Sequence, residues 1–420
     1  MTPGRAEGGP VMTGRRPLRV CHLAYSFYEN DNRIVRYAET LAARGDQVDV
    51  VTLRRPDQTS RGTLNGVRIH RIQRRFRGER AAWVYAAKIL WFCLKAFGLL
   101  SLAGVYRRYD IVHVHNVPDF LVFAAAVQKL RGARIVLDLH DVLPEFYAGK
   151  FGARETSAMF RLLLVVERLS CRFADHVIVA NHLWHDRVVR RSASPDRCTP
   201  ILNYPASEFF RPASGEGTER ARAFVILYPG TLNHHQGLDI AVAAFAEVCH
   251  RMPGAEFRIY GDGPARDALR QQAAALGVSD RVVIRHFVPF HEVPAVMASA
   301  SVGVVPKRAD GFGNEAFSTK ILEFMAGEVP VIVSRTRVDS YYFDDQTVKF
   351  FTPGDVGDLA RQLLWAFEHP VELRQLAASG KRCALEYSWQ KHAGEYVAIV
   401  DGRVSLGPSP SLGHAQRKRT

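Results

Sequence analysis

Residues Asp310–Ser334 read DGFGNEAFSTKILEFMAGEVPVIVS. A loop bearing Gly311 and Gly313 leads to Ser318, expected to be a good helix N-cap. Thr319–Ala326 is expected to be a short helix with apolar Ile321, Leu322, Phe324 and Met325, ended by Gly327. The run from Val329 to Val333 then reads as a buried strand. A loop entering a helix N-terminus points unpaired N–H groups and the positive end of the dipole outward, which suits a phosphate. Two carboxylates bracket it, Glu315 in the loop and Glu323 on the helix. Carboxylates repel phosphate, so these are better placed to accept hydrogen bonds from hydroxyls. Phosphate beside several hydroxyls points to a sugar nucleotide.

Glu315 and Glu323 stand eight positions apart and are followed by Met-Ala-Gly and Pro-Val-Ile. This string resembles the EX7E motif of the retaining GT-B glycosyltransferases, in particular family 4, the glycosyl transferases group 1. The resemblance implies an α/β protein of two Rossmann-like domains with a cleft between them. It implies that Glu315 contacts the donor sugar, that Glu323 contacts the nucleotide ribose, and that amides at Ser318 and Thr319 hold the diphosphate.

The rest of the chain follows the same order. Leu18–Ala24 (LRVCHLA) reads as a strand, a helix runs from about Arg33 to Arg44, and Gln47–Leu53 is a second strand, the opening of a doubly wound domain. Ligands in such folds sit beyond the carboxyl ends of the strands, so Arg33 is either a cleft residue or a solvated helix-start arginine. Asp110–His115 (DIVHVH) is a further strand, and His113 and His115 point the same way on it. No carboxylate or cysteine completes a metal set there, or beside His182 and His185, so no metal is expected. Arg134–Leu139 ends at His140-Asp141, and HDVLPEFY resembles the family's His-Asp/Glu…Pro-Glu loop. The resemblance implies that His140 meets the donor sugar in the reaction centre. Asp141 and Glu145 are either loop anchors or acceptor contacts. Glu155–Phe173 reads as an amphipathic helix, Asp175–Ala180 as a strand, and Pro200–Pro212 resembles the family's interdomain hinge.

In the second half, Phe224–Tyr228 is a strand leading into PGTLNHHQGLDIAVAAFAEV, where Gly230 and Thr231 open a tight loop. The family carries an Arg and a Lys in this loop to neutralise the departing diphosphate, and here His234, His235 and Gln236 stand instead. Candidate replacements are Lys307, Lys320, Arg33 or protonated histidines, with backbone amides a weaker alternative. Glu256–Tyr260 with Gly261-Asp262-Gly263-Pro264, then strands at Val282–Phe287 and Val302–Pro306, lead to the Glu315/Glu323 element. A last unit follows: strand Thr347–Phe351, helix Val356–Glu368, and a helix from Glu386 to Val400 that would cross back to the first domain. The implied organisation is a tail at 1–17, an acceptor-side domain at 18–203, a nucleotide-sugar domain at 204–385, the crossing helix at 386–401 and a basic tail at 402–420.

The chain has 420 residues, 47% of them hydrophobic, and a net charge of +14. That suits two globular domains with an acidic partner: nucleic acid, anionic lipid or a phosphorylated substrate. Aromatic-basic interleaving on a strand face is not visible, which argues against nucleic acid. Six scattered cysteines without a CxxC pair suit a reducing compartment, and no signal peptide is evident. Residues 84–106 (VYAAKILWFCLKAFGLLSLAGVY) are long and apolar, with Lys88 and Lys95 seven apart. A spanning helix would bear two lysines in its middle third. A helix lying in the membrane plane keeps them at the headgroups, with Trp83, Trp91, Phe92 and Phe97 below and basic flanks drawn to anionic lipid. A long, mostly buried helix is the other reading.

The expected function is transfer of a sugar from a nucleotide-diphosphate sugar to a hydroxyl on a lipid-linked or cell-envelope polysaccharide acceptor. The resemblance implies retention and no cofactor. The expected place is the cytoplasm, peripheral at the inner face of the cytoplasmic membrane. The alternatives are a GT-B sugar-nucleotide epimerase and a non-catalytic nucleotide-sugar-binding membrane protein. Sugar, base, acceptor identity and oligomeric state lie beyond motif reading.

Overall fold

The apolar runs build two sheets in a computed structural model of the chain, which describes residues 15–75, 82–106, 108–151, 154–205, 207–210 and 223–403. Most of both tails, part of the hinge, and Arg77, Arg80 and Arg107 lie outside the described residues. In chain order the first elements are β1 (Arg19–Ala24), α1 (Asn32–Ala43), β2 (Gln47–Arg54), β3 (Arg61–Leu64), β4 (Val67–Arg74), α2 (Ala82–Tyr106), β5 (Ile111–His115), α3 (Ala126–Leu130) and β6 (Arg134–Leu139). Then come α4 (Leu143–Phe151), α5 (Ala158–Phe173), β7 (His176–Val179), α6 (His182–Arg191) and β8 (Cys198–Pro200). The second half holds β9 (Val225–Pro229), α7 (Leu238–Val248), β10 (Glu256–Tyr260), α8 (Arg266–Ala275), β11 (Val282–Arg285), α9 (Val293–Ala298) and β12 (Val302–Val305). It closes with α10 (Thr319–Ala326), β13 (Val331–Ser334), α11 (Arg337–Tyr342), β14 (Lys349–Phe351), α12 (Val356–Glu368), α13 (Pro370–Glu386) and α14 (Trp389–Asp401).

One sheet has the order β3-β4-β2-β1-β5-β6-β7-β8 and the other β11-β10-β9-β12-β13-β14. Every pairing described is parallel except β3 with β4. Continuously buried strands such as β5 and β9 are what a parallel sheet covered on both faces requires. Compact packing divides the chain into Met1–His115 with Leu121–Val136, and Asn116–Phe120 with Leu137–Thr420.

In the first unit, β1 pairs with β2 and β5, setting His22 beside His113 in register. The β3–β4 pair was not expected, because its polar residues break the alternation that marks a strand. Arg33 is 3% exposed with its guanidinium 5.2 Å from the Tyr37 ring, which corrects the solvated reading; Asp31 caps α1 instead. On α2, only 22% of Val84–Ala103 is buried, which overturns the buried-helix reading. The helix is long and apolar enough to cross a membrane by length and composition alone. Ile89, Phe92, Ala96 and Leu100 face inward, whereas Leu90, Trp91, Leu94, Phe97 and Leu102 are exposed. Phe92 therefore belongs to the core and not to the outer face, and the side chain of Trp83 lies outside the described residues.

In the second unit, α10 rests on β12 through Phe324. A Cβ on Gly303 would fall 2.6 Å from the Phe324 ring, so glycine there lets the helix approach the strand. Gly327 ends α10 with φ −78°, and the left-handed turn falls on Glu328 (φ 57°). The Glu328 amide donates to the Met325 carbonyl and Val329 to Phe324, which places the reversal one residue later than the glycine suggested. Helices α4 and α13 were not expected, α5 starts at Ala158, β11 stops at Arg285, and α14 starts at Trp389 after Ser388.

Candidate active site

The loop from Asp310 to Ser318 is held from several sides. Asp310 Oδ1 accepts from the Gly313 amide at 2.6 Å, and Asn181 Nδ2 donates to the Glu315 carbonyl at 3.1 Å. Lys307, 3% exposed, bonds Asp339 Oδ2 at 2.8 Å and the Ala316 carbonyl at 2.7 Å. This cation braces the loop from within the core.

Glu315 is buried, and its carboxylate is not solitary. Arg187 Nη2 lies 2.7 Å from both its oxygens and Arg337 Nη1 3.0 Å from Oε1. The pairing continues: Arg187 also bonds Glu145 at 3.1 Å, and Arg191 joins Glu145 at 2.6 Å to Glu167 at 2.6 Å. Glu145 therefore belongs to this ladder as an anchor. Arg187 and Arg191 stand one turn apart on α6; the legible trace was two arginines four apart in HDRVVRR, which sequence reading passed over.

Ser318 occupies the N-cap position of α10 but makes no capping bond, and its hydroxyl is buried without a partner. A buried hydroxyl left unmatched is costly unless a ligand satisfies it. The first amides of the helix, at Thr319 and Lys320, have no partner one turn earlier. Lys320 runs from the same turn toward Gly230, where an added Cβ would fall 2.2 Å from Lys320 Cε and 3.0 Å from Nζ. Desolvation holds its ammonium below the usual lysine range, with Glu323 opposing. Its ammonium lies 5.5 Å from the centre of the Tyr228 ring, whose hydroxyl donates to the Thr231 carbonyl. A Cβ on Gly261 would lie 1.7 Å from the Gly230 carbonyl, so the close approach of these two loops there requires glycine at 261.

In the loop that follows, burial lowers the pKa of His235, so this ring is neutral near pH 7. It bonds Gln236 Nε2 at 2.9 Å and packs edge-on against Phe312. Of the candidate cations on these loops, Lys320 is the one set against Gly230.

His140 Nε2 lies 2.8 Å from Asp138 Oδ2, which is fully buried. The carboxylate fixes ring orientation and places the neutral-form proton on Nε2. Asn116 Oδ1 accepts from the His140 amide at 2.7 Å, and its Nδ2 bonds Asp119 and the Asp141 carbonyl. Burial raises the pKa of Asp141.

The description "Glycosyl transferase 4-like domain" matches residues 31–203, and "Glycosyl transferases group 1" matches 223–369. This chain belongs to the group 1 glycosyltransferases. It is 27% identical over 305 residues to the 2-deoxystreptamine N-acetyl-D-glucosaminyltransferase of Streptomyces fradiae, covering 69% of this chain and 71% of that protein. It is 27% identical over 183 residues to the GDP-mannose-dependent alpha-(1-6)-phosphatidylinositol monomannoside mannosyltransferase of Mycolicibacterium smegmatis, covering 43% and 48%. Anabaena HepE in complex with UDP-glucose superposes with a TM-score of 0.69 at 16% identity, over 91% of this chain and 100% of that one, a likeness of the GT-B fold.

This glycosyltransferase also carries a histidine cluster that the sequence half revealed. His22 joins His113 and His115, with one ring nitrogen of each within 4.8 Å of the others. The third member is invisible in sequence because strand pairing supplies it. His22 Nδ1 and His115 Nε2 are 3.0 Å apart, and Tyr37 stacks on His115. The rings thus use nitrogens on each other that a cation would need.

Proposed function

We propose that this glycosyltransferase moves a sugar from a nucleotide-diphosphate sugar to a hydroxyl acceptor with retention. The diphosphate sits at the N-terminus of α10, on the amides of Ser318 and Thr319, the Ser318 hydroxyl and Lys320 Nζ. Glu315 orients the sugar, Glu323 takes the ribose, and Gly230, Thr231 and Gln236 line the phosphate side. His140, oriented by Asp138, meets the sugar. The acceptor hydroxyl attacks the anomeric carbon as the carbon–oxygen bond to the diphosphate breaks on that same face, and the leaving oxygen takes the proton. Side-chain and amide charge balance the departing phosphate, so the reading calls on no cofactor.

The observation that carries this is the unmatched, buried Ser318 hydroxyl at a helix N-terminus, two residues from Lys320, whose side chain lies against Gly230. Calorimetric titration with UDP-, GDP- and ADP-sugars tests it. One donor should bind and be turned over, with its binding weakened about 30-fold in Lys320→Ala. Absence of heat with every donor would sink the reading. An epimerase would interconvert donors without acceptor.

The acceptor we favour is lipid-linked or cell-envelope polysaccharide, reached by α2 lying at the inner face of the cytoplasmic membrane. The exposed Leu90, Trp91, Leu94 and Phe97, with Lys95 5.2 Å from the Trp91 ring, support that placement, as does the phosphatidylinositol-linked acceptor named for the M. smegmatis relative. Leu90→Glu/Leu94→Glu should release the protein from anionic vesicles.

A further inference from the structure

Helix α5 has its apolar surface on the wrong side for a helix bathed in water. Phe160, Glu167, Ser170 and Cys171 are its buried residues. Met159, Leu162, Val165 and Leu169 are 45%, 54%, 49% and 50% exposed. At about 100° per residue these four share one arc of about 120°. Arg161, Arg168 and Arg172, all exposed, fall within about 40° of one another along a single border of that arc. The helix has one acid, Glu167, and it is buried against Arg191. Arg161 and Arg172 have no ion pair among the described residues. A water-facing helix surface is ordinarily charged and mixed; this one is an apolar strip edged by one sign.

We propose that α5 lies in the plane of an anionic lipid surface, its apolar strip at the acyl boundary and its arginine row on the phosphates. The charge row selects this occupant. A 16-residue helix is short for a span, and three arginines on it would be costly inside one. A second copy packed antiparallel on the strip would set two arginine rows side by side. The inference extends the membrane reading given for α2 but rests on a different helix, so the two fail separately.

The test is flotation of the full chain with phosphatidylcholine vesicles, neutral or containing about one third phosphatidylglycerol. Arg161→Gln/Arg172→Gln should weaken binding to the anionic vesicles about 30-fold and leave neutral vesicles unaffected. Leu162→Glu/Leu169→Glu should abolish flotation, while donor hydrolysis without vesicles and melting temperature stay at wild-type values. Wild-type flotation by both double variants, with loss in Leu90→Glu/Leu94→Glu, would overturn the α5 proposal alone. Wild-type flotation by all three would overturn both readings. A wild-type dimer that Leu162→Glu/Leu169→Glu disperses would also overturn it. Should that variant fail to fold, the arginine pair decides.

Discussion

Arg187 Nη2 sits 2.7 Å from both carboxylate oxygens of Glu315, so the acid expected to meet the donor sugar is held by a guanidinium from α6. The pair sets Glu315's orientation before any ligand arrives and offsets its repulsion toward a diphosphate. Arg187→Ala should therefore lower kcat about 10- to 100-fold with a smaller change in donor KM, as misplacement of a positioned group does. It should cost roughly 2 kcal/mol of stability, less than a fully buried pair because Arg337 remains on Glu315. Arg187→Lys should recover part of the stability but little kcat, since an ammonium cannot copy the planar fork. Steady-state kinetics and chemical denaturation read both; unchanged kcat in Arg187→Ala would remove the positioning role.

Lys320 should bind the diphosphate as the ammonium. Lys320→Ala should weaken donor binding about 30-fold, near 2 kcal/mol for lost charge-assisted contacts. Because burial lowers its pKa, donor affinity should fall in an alkaline range below that of an ordinary lysine. Stability of the unliganded protein runs the other way. Between the folded and unfolded pKa values the unfolded chain holds the extra proton, so stability rises with pH. Calorimetry across alkaline pH checks the first, and melting curves the second.

Ser318→Ala should leave the unliganded protein as stable or up to about 1 kcal/mol more so, because it removes a buried hydroxyl without a partner. The same change should weaken donor binding several-fold. Equal loss of stability and binding would show instead that the hydroxyl supports the fold.

Asp119 is buried, and desolvation pushes its carboxyl up to about 7, with Asn116 opposing. The folded state then keeps a proton that the unfolded state loses near pH 4, so stability falls as pH rises from about 4 to about 7. Asp119→Asn should flatten that slope and raise stability at pH 8. A slope unchanged in the variant would assign it to another group.

Glu328 holds φ 57° at the end of α10, a turn that glycine adopts without strain. Glu328→Gly should stabilise the protein by about 0.5–1 kcal/mol, despite losing an exposed 2.7 Å pair with Lys381. Thermal denaturation measures it.

Periodicity and local spacing carried the elements that depend on one short stretch. Thr319–Ala326 and Val356–Glu368 were predicted to the residue, since both are apolar-periodic runs. The Glu315–Glu323 string and its helix start were legible for the same reason: nine consecutive positions encode them. Partnership between distant stretches was not. Arg187 and Glu315 are 128 residues apart, His22 and His115 are 93, and no local pattern announces either contact. Chain folding also separated the two lysines, binding Lys307 to Asp339 and laying Lys320 against Gly230, and it turned the apolar strips of α2 and α5 outward. Local residues set backbone preference and hydrophobic period, whereas the pairing of charges and the direction of a face depend on what the rest of the chain brings beside them.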